Sequence, residues 1–95
     1  MSQNSTQETK NRRIGVVAII VQDRDTAHSA LNEILHEYGS IIVGRLGMPY
    51  RERSLSIISL IVDGNTDQVG ALTGKIGQLK NVTVKSAFAK IDPEK

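Results

Sequence analysis

From Ile14 to Val21 the chain carries aliphatic side chains at both parities, with Ile14, Val16, Ala18 and Ile20 on one face of an extended strand and Val17, Ile19 and Val21 on the other. A strand with no polar face predicts burial on both sides. Asp23 to Thr26 then offers turn and N-cap chemistry, and Ala27, Ala30, Leu31, Ile34, Leu35 and Tyr38 follow the spacing of an amphipathic helix, with Gly39 as its C′ stop. A second strand is expected over Ser40–Leu46 and a third, again aliphatic at both parities, over Arg53–Asp63, joined by a hairpin connection at residues 47 to 52. After the turn at Asp63–Thr66, Asn65 and Gln68 have the spacing of a capping pair before a helix whose inward stripe is Val69, Leu72, Ile76 and Leu79. Val82 to Ala89 reads as the closing strand, with Val82, Val84 and Phe88 on one parity.

This pattern occurs twice. At a constant offset of 41 residues, Ile19, Ile20 and Val21 answer to Leu60, Ile61 and Val62, Leu31 to Leu72, Leu35 to Ile76, Tyr38 to Leu79, Ile41 to Val82 and Val43 to Val84. Two strand–helix–strand units in 95 residues predict one α+β domain, the ferredoxin-like βαββαβ arrangement: a four-stranded antiparallel sheet with two helices on one face. Right-handed crossovers place the strands in the order 4-1-3-2, the two most apolar in the centre. Two helices cover only one face of such a sheet. The aliphatic side chains on the other face then predict self-association, as a dimer or tetramer, through that face.

Composition narrows the class of function. The chain has no Cys, which excludes disulfides, thiolate metal sites and a thiol nucleophile and fits a cytoplasmic location. No apolar run approaches the roughly 18 residues of a membrane span. Twelve Lys and Arg against ten Asp and Glu give a formal charge of only +2, too weak a field to argue for nucleic acid. Residues 1 to 11 contain no large apolar residue after Met1 and are expected to be a disordered tail; the domain spans residues 12–91, and 92–95 form a short C-terminal tail.

Few motifs carry chemistry. No nucleophile with a base and an orienting acid can be assembled from spacing, so no catalytic residue, cofactor or metal site is expected. Glu33 and His36 have the spacing of one arm of a carboxylate-bridged metal site, but no second arm exists in the chain. Residues Gly70 to Gly77 (GALTGKIG) superficially resemble a phosphate loop, yet they lack its spacing and its Ser or Thr, and lie inside a helix. Gly70, Gly74 and Gly77 fall within about 60° of one another at about 100° of rotation per residue. At up to about 1 kcal/mol lost per glycine relative to Ala, the stripe suggests close approach of a subunit, with Gly70 and Gly74 as the contacts. The segment GRLGMPYRER, Gly44 to Arg53, groups three Arg, a Tyr and two Gly at the expected hairpin. Gly44, Arg45, Tyr50 and Arg51 are the candidates for holding a small anionic ligand or a partner; the other reading is an edge hairpin protected by charge.

The segments GVVAIIVQD, LHEYG, GRLGMPYRE, ISLIVDG, ALTGKIGQL and VTVKSA, in order from Gly15 to Ala87, resemble the family of iron-only hydrogenase system regulators, described as bacterial transcriptional regulators. The resemblance implies an ACT-like domain, similar to the C-terminal regulatory domain of the nickel-responsive repressor. It does not extend to that repressor's nickel ligands: this chain has His only at 28 and 36. Nor are residues 1 to 11 long or apolar enough for a ribbon-helix-helix domain, which argues against direct DNA binding by this chain alone. The expectation is a homo-oligomeric, ACT-like, ligand-sensing module that regulates the iron-only hydrogenase system. The alternative is an assembly partner of hydrogenase maturation proteins that takes no small ligand.

Overall fold

The computed structural model describes residues 12–22 and 24–89. Strands β1 (Arg13–Gln22), β2 (Ile42–Tyr50), β3 (Leu55–Gly64) and β4 (Val82–Phe88) form one antiparallel sheet in the order 2-3-1-4, with helices α1 (Arg24–Glu37) and α2 (Thr66–Gly77) between them in the chain. This is the expected βαββαβ topology, with β1 and β3 central. The tails expected at 1–11 and 92–95 lie outside the described residues, as does Asp23 of the turn and cap segment expected at Asp23–Thr26.

Alternation along the central strands decides where the core lies. Val17, Ile19 and Val21 of β1 and Ile58, Leu60 and Val62 of β3 are buried under the helices. Ala27, Leu31 and Leu35 of α1 and Val69, Leu72 and Ile76 of α2 close the core from above. The repeat is therefore physical: Leu31 and Leu72, and Leu35 and Ile76, occupy matching buried positions in the two halves. It fails at one pair. A bulge between Ile42 and Gly44 pushes Val43 out to 67% exposure, whereas Val84 packs against the core.

Several local expectations are corrected. Residues 47–50 are not a hairpin connection but the second half of β2, paired from Gly47↔Ile58 to Tyr50↔Leu55. Pro49 had suggested a turn, yet an edge strand accepts proline because its outward N–H has no ladder partner to lose. The chain reverses later, through a 3₁₀ turn at Arg51–Arg53 and Ser54, whose φ of 53° is left-handed. Gly39 does not end α1 in a left-handed C′ conformation, since no described glycine has positive φ; a 3₁₀ turn at Gly39–Ile41 takes over, and β2 begins at Ile42 instead of Ser40. Asn81, at φ 66°, makes the left-handed turn into β4. The start of α2 is as expected. Asn65 accepts from the Gln68 backbone N–H at 2.7 Å, and the Gln68 side chain accepts from the Asn65 N–H at 3.0 Å.

Gly15 is needed for close approach of strands. A Cβ built there would lie 2.8 Å from Phe88 Cδ1 and 2.9 Å from the Ala87 carbonyl oxygen. The Phe88 ring can swing aside, but the carbonyl belongs to the β1–β4 ladder and can move only with its strand. Gly15→Ala should therefore lower unfolding free energy by about 1–3 kcal/mol, measured by urea denaturation. Gly47→Ala, where the nearest atom is Ile58 Cγ1 at 3.8 Å, is the control and should be neutral or stabilising.

Candidate functional site

Helix α1 lies over the sheet centre and leaves the edge strand β2 partly uncovered. The result is a groove of about 920 Å³ between the two elements. One wall is the polar side of α1, where His28, Asn32 and His36 succeed one another at four-residue spacing. The other wall is Arg45 and Pro49 of β2, and Ser56 and Ile58 of β3 complete the site. Gly47 lies on the same side as its neighbour Ile58 and projects no side chain into the space. A smaller hollow of about 570 Å³ adjoins along β2, lined in part by Gly44, and Asn32, His36 and Arg45 line both. The Asn32 amide nitrogen donates to His28 Nδ1 at 3.1 Å, which leaves the proton of a neutral His28 ring on Nε2.

The expected anion-binding set is not gathered at one place. Arg45 lies on the helix side of β2 beside the groove, whereas Gly44 pairs with Ile61 of the open face, Tyr50 stands at the far end of β2 on that same open face, and Arg51 lies in the reversing turn. Tyr50 is five residue steps along the strand from Arg45, about 17 Å at roughly 3.3 Å per residue. What sequence reasoning missed is the α1 wall. Its signal was present, since His28, Asn32 and His36 recur every fourth residue beside the apolar stripe of α1, but only the topology shows that β2 faces them.

Gly70 and Gly74 lie on the outward side of α2, with nothing within 4 Å of a Cβ at either position, whereas Gly77 would touch Val84 at 3.5 Å. Beside them Lys75 donates to Glu37 at 2.9 Å and lies 5.3 Å from the centroid of the Tyr38 ring, tying α2 to the end of α1. The Glu37 hydrogen bond is the main cause of the raised pKa of Lys75. Both partners are half exposed, so the pair orients the helices more than it stabilises them.

The helix-free face of the sheet is aliphatic and open. Ile14, Val16 and Ile20 of β1 and Ile61 of β3 are each 38–46% exposed, and Leu46, Met48 and Tyr50 of β2 extend the surface. The double-sided burial expected for β1 is thus met on one side only within a single chain. Among the described residues no three His, Cys, Asp or Glu side chains gather as a metal ion would require, and no helix is long and apolar enough to cross a membrane.

No curated protein matches the chain. Among solved structures it is similar to the protein TM1266 from Thermotoga maritima, with 39% identity and a TM-score of 0.81 over 83% of this chain and 99% of that one. The ACT domain from GTP pyrophosphokinase of Chlorobium tepidum shares the fold, with a TM-score of 0.68 at 15% identity over 80% of this chain and 99% of that chain. A formyltetrahydrofolate deformylase from Pseudomonas putida contains a similar unit, with a TM-score of 0.56 at 8% identity over 78% of this chain and 28% of the enzyme. Residues 13–86 match the family model described as "TM1266-like: Iron-only hydrogenase system regulator, putative". With its βαββαβ sheet in ACT-like form and this match spanning most of its length, the chain belongs to the TM1266-like family of iron-only hydrogenase system regulators.

Proposed function

We propose that this protein is a non-catalytic, homo-oligomeric regulatory module of the cytoplasm, which responds to a small ligand and serves regulation of the iron-only hydrogenase system. The observation that carries the reading is the open aliphatic face of the sheet. Ile14, Val16, Ile20 and Ile61 stand side by side through the β1–β3 pairing, Val16 directly opposite Ile61. A continuous apolar surface of this kind is costly in water, and a second copy of the same sheet is the simplest cover for it. The outward glycines Gly70 and Gly74 are assigned to close approach of a neighbouring helix in that assembly.

Regulation follows from assembly if ligand has unequal affinity for two packing states, because it then shifts the population between them. Native mass spectrometry of the full chain purified from its host tests the proposal. A dimer or tetramer carrying a retained small molecule is the expected result. A single chain at micromolar concentration would remove its support, and an oligomer bound to a maturation protein with no small molecule would favour the assembly-partner reading.

A further inference from the structure

We propose that the groove between α1 and β2 binds a small organic anion with an apolar body, its negative head held where Arg45 and His36 meet. The inference rests on the ligand-responsive reading above and adds where the ligand sits and of what kind it is.

The first argument comes from Gly47, two residues after Arg45 in β2. Glycine inside a strand gives up both side-chain packing and chain entropy, so it needs a local reason. Neither common reason applies. No described glycine has positive φ, so the backbone conformation does not demand one. Crowding does not demand one either: at Gly47 only Ile58 Cγ1 lies within 4 Å of a Cβ, at an ordinary 3.8 Å, and the bulge of β2 falls earlier, between Ile42 and Gly44. Gly47 shares the helix side of the sheet with Arg45 and lines the groove beside it. An occupant that approaches the strand closely gives the missing side chain a purpose.

The second argument is the chemistry at the junction. Asn32, His36 and Arg45 line both hollows, so a guanidinium, an amide and an imidazole converge there, all able to donate hydrogen bonds. Among the described residues the salt bridges are Arg12–Asp63 and Lys75–Glu37, and neither engages Arg45. Away from this point Pro49 and Ile58 offer apolar surface, while Glu33, which also lines the groove, disfavours a second negative group there. A single anionic head with an apolar body matches that layout. The volume of about 920 Å³ is toward the upper end of the roughly 300–1,000 Å³ of small-molecule sites. A shared metal ion fits worse, because His28 and His36 are two helical turns apart, about 12 Å of rise.

The test is a titration of the ¹⁵N-labelled full chain with hexanoate, acetate and hexylamine, following backbone amide shifts, with light scattering on the same samples. Hexanoate should give saturable shifts at Asn32, His36, Arg45 and Gly47. Acetate should need at least about tenfold higher concentration for want of the apolar contact, and hexylamine should not shift these residues. Arg45→Gln should weaken hexanoate binding by about tenfold or more. Gly47→Leu, which puts a side chain into open space, should abolish binding while the spectrum stays dispersed. Shifts confined to Val16, Ile20 and Ile61, equal responses to hexanoate and hexylamine, or unchanged binding by Gly47→Leu would each overturn the proposal. The two readings fail separately: a single chain with groove shifts defeats the oligomer and keeps the site, and an oligomer without them does the reverse.

Discussion

If the open face is the contact we propose, Ile61→Lys is expected to give single chains while leaving the fold intact. Ile61 lies at the centre of the open face, opposite Val16 on one side and Gly44 on the other. In a single chain it is already 46% exposed, so a lysine there can keep its ammonium in water and should change the stability of the monomer by no more than about 0.5 kcal/mol. Across a sheet-to-sheet interface the same ammonium would have to be buried without a partner, at an effective cost of several kcal/mol. In a two-fold assembly each copy contributes one such charge, which doubles the penalty. Light scattering should show the mass of one chain, and circular dichroism should show the same α+β spectrum, with a thermal midpoint lowered only by the loss of assembly. An unchanged oligomer mass would mean that the open face is not the contact.

The second large effect is on the fold itself. Leu72→Ala should lower the unfolding free energy by about 2–5 kcal/mol, the range for emptying a fully buried leucine site. Leu72 is 0% exposed and its repeat counterpart Leu31 is equally buried, both within the single core cluster. The surrounding groups are held by strands β1 and β3, which cannot collapse into the space without breaking their ladder, so the cost should fall in the upper part of that range. Against a total stability of about 5–15 kcal/mol for a domain of this kind, the loss is large. In thermal unfolding the midpoint should fall by more than about 10 °C. Leu31→Ala should behave alike, since the two halves use the leucine in the same way. A loss below about 1 kcal/mol for both would show that the helices are not packed as described.

The fold was legible because its signals are local and repeated. The double parity of Ile14–Val21 and Arg53–Asp63, the helical spacing of Leu31 with Leu35 and of Leu72 with Ile76, and the Asn65–Gln68 capping pair each reflect short-range geometry that the backbone imposes. The errors came where a residue type has two uses. Pro49 and Gly47 read as turn residues, yet on an edge strand both are tolerated, and the reversal fell instead to Ser54, whose left-handed conformation nothing in its residue type announced. Gly39 read as a helix stop of left-handed form, but the chain left α1 through a 3₁₀ turn that keeps φ negative.

The candidate site was half legible for a related reason. Arg45 and Gly44 stood out by composition, but they are neighbours on opposite faces of β2, and only Arg45 turns toward the helices. Tyr50 and Arg51 were grouped with them only because a hairpin would have folded the segment back on itself; a straight strand carries them away. His28, Asn32 and His36 were visible as a polar helix face, but a face says nothing about what it looks onto.

By itself, then, the sequence determined the elements, the duplicated hydrophobic frame and the strand order, because side-chain periodicity and the handedness of crossovers leave few alternatives. It also determined that one sheet face would be aliphatic without a helix to cover it. Only the tertiary structure decided that the edge strand β2 runs on through Tyr50, that a bulge turns Val43 outward, and that Arg45 and Gly47 of β2 come to face His28 and His36 of α1 across an open groove. Those outcomes depend on the register of one strand against another and on how far a helix reaches over a sheet, which are relations between distant segments that no local pattern encodes.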